Sequence, residues 1–581
     1  MRRPHVSKRW HILPGDIQAE AKLQMELGVH PIMARLLVQR GLTTPEAADA
    51  FLNPSLDRLH DPFLLPDAEA ACERLKRALN NKERILVHGD YDGDGVTSAA
   101  LWTRVLRSLG GCVDVFVPHR KRDGYDMRVP IIEQARQEGV RLIVTTDCGI
   151  QRVDEVEHAR QYGIDVIISD HHTPNAGGAL PQAVAVVNPH RKDSRYPFPD
   201  LAGVGVAFKL CEALTRYLGY KPDSFRRKFL DLAAIGTVTD MMPLIDENRV
   251  IAKFGLEALQ STNKPGLRAL IEVSGYTGRT LDSSSISFGL GPRLNAASRV
   301  DETQIALDLL LTKDEAEARL LARRLNECNI QRKEEQERIL NEALEQVAQQ
   351  DRMEARCLVV AGTGWSAGIV GIVASKIVDR FHRPCILIAL DEATGAGRGS
   401  ARSIHAFNIF DAIDACRDLL LEYGGHAHAA GLAIEGAQVE DFAAQMNRLA
   451  GALLSKEDCQ PSIEVAMDLD PSEISADLLH QIETLAPFGG GNHPPYFVSR
   501  GVPVLETIRM GPEKQHLRLT LKVDGLNGRH IVQAPWWNRG ELAEALEPGM
   551  TLDLCYRPAF NDWNGRRYIQ FIVEDIQPPE W

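Results

Sequence analysis

From Glu83 onward the chain repeats a pattern that few folds accommodate. A short, mostly β-branched apolar run breaks into polar residues, and an amphipathic stretch follows. The runs are ERILVHGD (83–90), VDVFVPH (113–119), RLIVTTD (141–147), IDVIISDHH (164–172) and AVAVVNPH (183–190). Between them lie helical stretches such as VTSAALWTRVLRSLG (96–110) and VPIIEQARQEG (129–139). Runs that are apolar at consecutive positions suit strands covered on both faces, and their alternation with helices predicts an α/β fold around a parallel sheet.

One such sheet cannot absorb 581 residues; at ~150 residues per domain, about four units are expected. Residues 1–60 read as an N-terminal helical appendage, and 61–275 as the sheet domain, helical from about 201. Residues 276–354 read as a connector dominated by one long helix, because 312–350 contain neither Gly nor Pro and place apolar residues at helical spacing. A smaller α/β domain is expected over 355–455, with the glycine-rich stretches SAGIVG (366–371), GAGRGSARS (395–403) and GGHAHAAG (424–431). Over 462–577, alternations such as QHLRLTLKVDG and TLDLCYRPAF separated by turns predict an all-β barrel of OB type.

The charge balance, 66 Lys and Arg against 79 Asp and Glu, gives −13 and argues against a protein that coats nucleic acid by bulk positive charge. Local basic grooves remain compatible with it. Ten cysteines are scattered without a CxxC pair, the usage of a reducing cytoplasm. The opening MRRPHVSKRWHILPGD lacks the apolar run of a secretory signal, and no stretch approaches the ~18 apolar residues of a membrane span.

The strand ends carry the chemistry. HGDYDGDGVTS sets His88, Asp90, Asp92 and Asp94 close together, and carboxylates so near one another repel unless cations neutralise them. Gly89, Gly93 and Gly95 let the backbone wrap tightly around an ion. Alone, the cluster would also fit an ordinary acidic, glycine-rich turn. The third run, however, ends at Asp147 and the fourth at Asp170, His171 and His172, and open α/β sheets bind ligands outside the carboxyl ends of their strands. Asp240 joins them where a helical stretch breaks before Pro243. An Asp/His set without cysteine suits Mn²⁺ or Mg²⁺. So many ligands exceed one octahedral ion, which predicts two ions about 3.5–4 Å apart. Such a pair activates water near neutral pH and stabilises phosphoryl charge during in-line displacement, so the expected activity is hydrolysis of phosphoesters or phosphoanhydrides.

Asp170-His171-His172, HGDYDGDG, TTDCG and GTVTD resemble the DHH phosphoesterase superfamily, and GGHAHAAG resembles its companion DHHA1 domain. FGLGPRLNAASRVDE (288–302), LAGVGVAFKL (201–210) and the terminal barrel extend the resemblance over roughly 50–577, towards the bacterial exonucleases of that superfamily. It implies a 5′→3′ exonuclease that degrades single-stranded DNA to mononucleotides in recombination and repair. It further implies that His88, Asp92, Asp94, Asp147, His171 and Asp240 are metal ligands, with Asp147 bridging two ions. Asp90 and His172 lie beside them as ligand, substrate contact or support, and no protein nucleophile is implied. Ser366, after Trp365, departs from the histidine common at that place.

For the DNA, Arg120, Lys121 and Arg122 beside Tyr125 suit phosphate contact and stacking, although a solvated basic loop would look the same. Arg293 and Asn295 are the polar residues of what reads as a Gly/Pro-bounded loop. Ser400 and Arg402 lie among small residues that permit close approach to a phosphate. The resemblance makes Arg293, Ser400 and Arg402 a pocket for the 5′-terminal phosphate, with the glycines of GGHAHAAG and His426 nearby. Residues 462–581 hold ten Lys and Arg against seventeen Asp and Glu, so the barrel would grip DNA only through a local face. Arg518, Lys522, Arg529, Trp536, Trp537 and Trp563 are the candidates. The expected partners are single-stranded DNA, a single-strand-binding protein and a RecQ-type helicase, with the enzyme a cytoplasmic monomer. Two other readings compete: a phosphodiesterase or pyrophosphatase for small substrates, which the extra barrel disfavours, and a scaffold that has lost its ligands, which the intact Asp/His set disfavours.

Overall fold

The five apolar runs pair as predicted. In the computed structural model they form β1 (Arg84–His88), β2 (Cys112–Phe116), β3 (Val140–Thr146), β4 (Asp165–Ser169) and β5 (Ala185–Val187). Their order is β2-β1-β3-β4-β5, with every neighbouring pair parallel. The structure describes residues 8–578 except 120–122, 125, 176, 301, 350–354, 527–528 and 564–565. Successive side chains leave opposite faces of the sheet, and both faces are covered. Ile85, Val87, Leu142, Val144, Ile167 and Val187 enter one core, and Leu86, Ile143, Val166, Ile168 and Val186 enter another. From β1 the chain goes to β2 on one side and then to β3 on the other. That reversal is the switch point at which such sheets open a ligand crevice.

The chain divides into two compact units. The first comprises Asn53–Lys333 and Pro487–His493; the second comprises Met1–Leu52, Glu334–Ala486 and Pro494–Trp581. In the first, α1 (Gly93–Ser108) follows β1, while α2 (Gly203–Tyr217) and α3 (Pro222–Thr239) come after the sheet. The segment read as a connector starts inside this unit: Leu281, Ile286, Leu290, Leu294, Leu310 and Leu325 share the core of Ile85 and Val87. The GPRLNAASR stretch, expected as a loop, is the helix α4 (Gly291–Arg299). Pro292 sits in its first turn, where the missing N–H has no partner to lose. The long helix forms as expected, α5 (Glu315–Gln349).

In the second unit, β6 (Leu358–Thr363) pairs in parallel with β7 (Cys385–Leu390). Antiparallel β8 (Ala396–Arg402), β10 (Ala429–Glu435) and β9 (Glu422–His426) complete the sheet in the order β9-β10-β8-β7-β6. The glycine-rich stretches are therefore strands: GAGRGSARS supplies β8, and GGHAHAAG forms the β9–β10 hairpin.

The strands Phe497–Met510, His516–Leu526, Arg529–Trp536, Arg566–Gln577 and Thr551–Trp563 close on one another in that order. The third and fifth in sequence run parallel, completing a five-stranded OB-like barrel. The N-terminal segment, read as a helical appendage, is built into this unit. Its helices Ile17–Leu27, Pro31–Val38 and Pro45–Leu52 bury Leu23, Met33, Leu36 and Leu37. Arg9–Ile12 is a strand parallel to Ser462–Val465, and Trp10 Nε1–H donates to Asp575 Oδ2 at 2.9 Å.

Candidate metal centre

Three strand ends and one helix end converge in the first unit. Asp92 caps α1: its Oδ1 accepts the N–H groups of Asp94 and Gly95, both at 3.0 Å. The loop before the helix is tied from α4, where Asn295 Oδ1 accepts the Gly93 N–H at 2.6 Å. Asn295, expected to touch DNA, here fixes the acidic loop. Asp94 reaches the start of α2 and accepts the Gly203 N–H at 2.7 Å and the Val204 N–H at 2.8 Å. Asp147 follows β3 with φ 62°, a left-handed conformation that Asp tolerates better than most residues. Gly203 is required beside it, since a Cβ there would lie 2.4 Å from Asp147 Oδ1.

Asp170 builds the site rather than lining it. Its Oδ1 accepts the N–H groups of His171 (2.8 Å) and His172 (3.1 Å) and His172 Nδ1–H (2.8 Å). Its Oδ2 accepts the Ile150 N–H at 3.0 Å. Burial opposes its ionisation, but the His172 hydrogen bond and charge hold it at about 2. His172 is correspondingly raised to about 9: burial alone would lower it, and Asp170 overrides that.

His171 Nδ1–H donates to the Leu201 carbonyl at 3.1 Å, which turns the Nε2 lone pair into the crevice. There Nε2 lies 3.1 Å from Asp147 Oδ1, 3.8 Å from Asp240 Oδ2 and 4.0 Å from Asp94 Oδ2. Burial, then the neighbouring His172, lowers His171 to about 4, so the ring is neutral at physiological pH.

Among the described residues the donors fall into three overlapping groups whose ligand atoms lie within 4.8 Å of one another: Asp90–Asp92–Asp147, Asp147–His171–His172 and Asp94–His171–Asp240. Asp147 and His171 each belong to two. Asp90 and His172, whose roles the sequence left open, are both members. His88, expected as a ligand, belongs to none. It is buried, with Nδ1 3.6 Å from Cys148 Sγ and Nε2 without a hydrogen-bond partner. Burial lowers its pKa to about 4 and keeps the ring neutral.

The donor set fits hard divalent cations. Asp94 is raised to about 7 by burial and then by Asp92, and Asp240 to about 9 by burial and then by Asp94. Asp90 and Asp147 are pushed well above the carboxylate range, again by burial and then by neighbouring carboxylates. Asp90 Oδ1 and Asp147 Oδ1 are buried without a hydrogen-bond donor. Buried acceptors facing a neutral imidazole lone pair need a proton or a cation between them, and oxygen with imidazole donors is the chemistry of Mg²⁺ and Mn²⁺.

The expected substrate groups are distributed differently. Arg120, Arg122 and Tyr125 lie outside the described residues. Arg293 is in the first unit. Its guanidinium donates to the carbonyls of Gly289 (2.8 Å) and Val273 (3.2 Å) and to Asn326 Oδ1 (3.0 Å), which are structural contacts. Ser400, Arg402 and His426 are in the second unit. Arg402 Nη1–H donates to Ser400 Oγ at 3.2 Å, and His426 is exposed at the end of β9. In the barrel Trp536 is buried and Trp537 is 52% exposed; the side chains of Arg529 and Trp563 lie outside those described. Sequence reasoning missed the backbone partners Leu201, Gly203 and Val204. The only signal was the run of small residues in LAGVG, consistent with close approach.

Known proteins match along the whole chain. Residues 84–237 match the DHH family N-terminal domain, 354–452 the DHHA1 domain and 465–575 the RecJ OB domain. The single-stranded-DNA-specific exonuclease RecJ of Bacillus subtilis is 39% identical over 99% of this chain and 71% of its own length. That of Escherichia coli is 34% identical over 97% of this chain and 98% of its own length. The crystal structure of Thermus thermophilus RecJ with Mn²⁺ covers 100% of this chain and 81% of its own, at 32% identity and TM-score 0.83. The same protein with Mg²⁺ gives a TM-score of 0.77 at 31% identity, covering 99% of this chain and 79% of its own.

Proposed function

The chain belongs to the RecJ family of single-stranded-DNA-specific exonucleases, and from that premise we propose how its residues divide the work. The protein is a metal-dependent exonuclease that hydrolyses single-stranded DNA, with Mn²⁺ or Mg²⁺ as cofactor. The observation that carries the assignment of residues is the 3.1 Å approach of His171 Nε2 to Asp147 Oδ1 at the switch point of the sheet.

Asp90, Asp92, Asp94, Asp147, His171, His172 and Asp240 would hold two ions, with Asp147 shared between them; His88, the last residue of β1, is buried outside these groups. Bound there, divalent ions lower the pKa of water and stabilise charge on a phosphoryl group. The chain's own part is to pre-set the donors. Asp92 and Asn295 fix the acidic loop, Leu201 fixes the His171 tautomer, and Asp170 keeps His172 protonated on Nδ1.

A metal centre of this kind does not by itself read strand direction. We assign 5′→3′ polarity to an anchor for the 5′-terminal phosphate in the second unit, at Ser400 and Arg402. Both face the start of the helix α6 (Val370–Phe381): a Cβ on Gly371 would lie 2.8 Å from Ser400 Oγ and 3.1 Å from Arg402 Nη2. A forked cation, a hydroxyl and helix N–H groups meeting at one point suit a phosphate monoester. The reading also has the enzyme acting as a cytoplasmic monomer in recombination and repair, on strands exposed by a helicase and covered by a single-strand-binding protein. Among the described residues no helix is long and apolar enough to cross a membrane.

Digestion of 5′- and 3′-end-labelled single- and double-stranded DNA with Mg²⁺, Mn²⁺ or EDTA tests this. Release of labelled mononucleotide from the 5′ end of single strands, abolished by EDTA, is expected; release from the 3′ end first would overturn the polarity.

A further inference from the structure

Asp240 stands at a helix end that is strained where strain is seldom kept. Helix α3 stops in a Schellman arrangement: the Met242 N–H donates to Thr237 O and the Met241 N–H to Val238 O, both at 3.2 Å. The residue after the cap is left-handed in this motif and is usually glycine. Here it is Met241, with φ 59° and its side chain 78% exposed. A bulky residue keeps such a conformation only where its surroundings over-determine it.

The surroundings come from far along the sequence. Pro487–His493 folds as a tight turn in which Gly489 and Asn492 pair through their backbones at 3.0 and 3.2 Å, and Asn492 Nδ2–H donates to Pro487 O at 2.9 Å. Gly490 O accepts the Leu244 N–H at 2.7 Å. Gly490 lies so close to the strained stop that a Cβ on it would sit 2.8 Å from Met241 O and 3.2 Å from Met242 O. Ser283 Oγ–H anchors the turn through Phe488 O at 2.5 Å. On the opposite side, Asn248 Nδ2–H donates to Pro243 O at 3.0 Å.

We propose that the Pro487–His493 turn is a positioning element for the metal centre: it clamps Met241–Leu244 and so holds the Asp240 carboxylate against Asp94 and His171. Gly490 is the contact residue, because only a residue without a side chain admits the two backbones to this distance. The inference rests on Asp240 being a ligand, as proposed above.

The test uses the full-length protein and reads Mn²⁺ binding by titration calorimetry, beside thermal melting in EDTA. Gly490→Ala is expected to weaken Mn²⁺ binding about 10- to 100-fold, the effect typical of removing a support for a ligand. Its nuclease activity should recover as Mn²⁺ is raised, and its melting temperature in EDTA should stay near that of the parent. Gly451→Ala, at a position with nothing within 4 Å of the added Cβ, controls for loss of glycine. Unchanged Mn²⁺ affinity in folded Gly490→Ala overturns the proposal. If Gly490→Ala does not fold, Ser283→Ala decides: weaker Mn²⁺ binding supports the clamp, and parental binding removes it. Asp240→Ala, run in parallel, separates the two readings. If it too binds Mn²⁺ like the parent, the ligand assignment fails; if it binds weakly while the turn variants do not, the clamp alone fails.

Discussion

His171 Nε2 and Asp147 Oδ1 face each other at 3.1 Å. The His171 N–H is used on the Leu201 carbonyl, and burial holds the ring neutral. Two lone pairs at that distance repel unless a proton, which burial keeps on Asp147 in the metal-free centre, or a cation lies between them. Each residue also belongs to a second group of donors, so the pair is the joint on which the centre turns.

Removing one side of that joint should separate chemistry from binding. Asp147→Ala is expected to lower hydrolysis of single-stranded DNA about a thousandfold or more, because it takes a donor from two groups at once. Affinity for a single strand, measured by fluorescence anisotropy, should stay within a few-fold of the parent. Residual activity above about one-tenth, with Mn²⁺ still bound, would rule out Asp147 as a ligand.

The protons held by the metal-free centre predict a pH dependence. Asp94 at about 7 and Asp240 at about 9 keep protons that the unfolded chain has released above about 4. Their contribution to stability is therefore complete below the unfolded value and lost as pH rises through 7 and 9. His172, raised to about 9, acts in the same direction above its unfolded value of about 6.5. His88 and His171, lowered to about 4, add stability as pH rises to about 6.5 and then level off. From pH 7 to 9 the centre thus destabilises the metal-free protein. Melting in EDTA should fall across that window, and Mg²⁺ should bind more tightly with protons released. Asp240→Asn should flatten both trends; a parent whose metal affinity is level from pH 7 to 9 would contradict the assignment.

What could be read from the sequence follows from the range of each interaction. The five strands were legible because an apolar run reports burial locally, and the acids and histidines because polar residues at buried strand ends are conspicuous. The atoms that aim them were not: the Leu201 carbonyl and the Gly203 and Val204 N–H groups have no side-chain signature, and only tertiary folding brings them to His171 and Asp94. Arg9–Ile12 is too short to declare itself a strand, and its partner Ser462–Val465 lies in the C-terminal third of the chain. GAGRGSARS resembles a loop by composition, yet β8 is held by β7 on one side and β10 on the other. Asn295 looked like a free polar contact because nothing in its sequence names Gly93 as its partner.

The barrel should bind DNA through a face, not through its net charge. Along His516–Leu526, Leu517, Leu519 and Leu521 are buried; on the opposite side Lys522 is exposed and Arg518 half-buried. Each phosphate contact on a single strand contributes about 0.7 to the slope of log affinity against log salt. The double change Arg518→Ala and Lys522→Ala should therefore lower the slope by about 1.4. An unaltered slope would move the DNA-binding face elsewhere on the barrel.

Polarity gives the most selective test. An arginine–phosphate contact that survives competition from water is worth about 1.5–3 kcal/mol, roughly ten- to a hundredfold in affinity. Arg402→Ala should impose that penalty on single strands carrying a 5′-phosphate and much less on strands ending in a 5′-hydroxyl. The variant leaves the first unit untouched, so Mn²⁺ binding should match the parent. Arg402 already donates to Ser400 Oγ and to the Ala401 carbonyl, so a phosphate must compete with a settled geometry. Ser400→Ala, which removes the hydroxyl but keeps the cation, should accordingly show a smaller difference between the two end forms. Digestion of both forms by the parent and both variants separates end recognition from general DNA affinity. Equal losses on the two forms would take Arg402 out of end recognition, and the anchor would then have to be sought among Arg120, Arg122 and Tyr125.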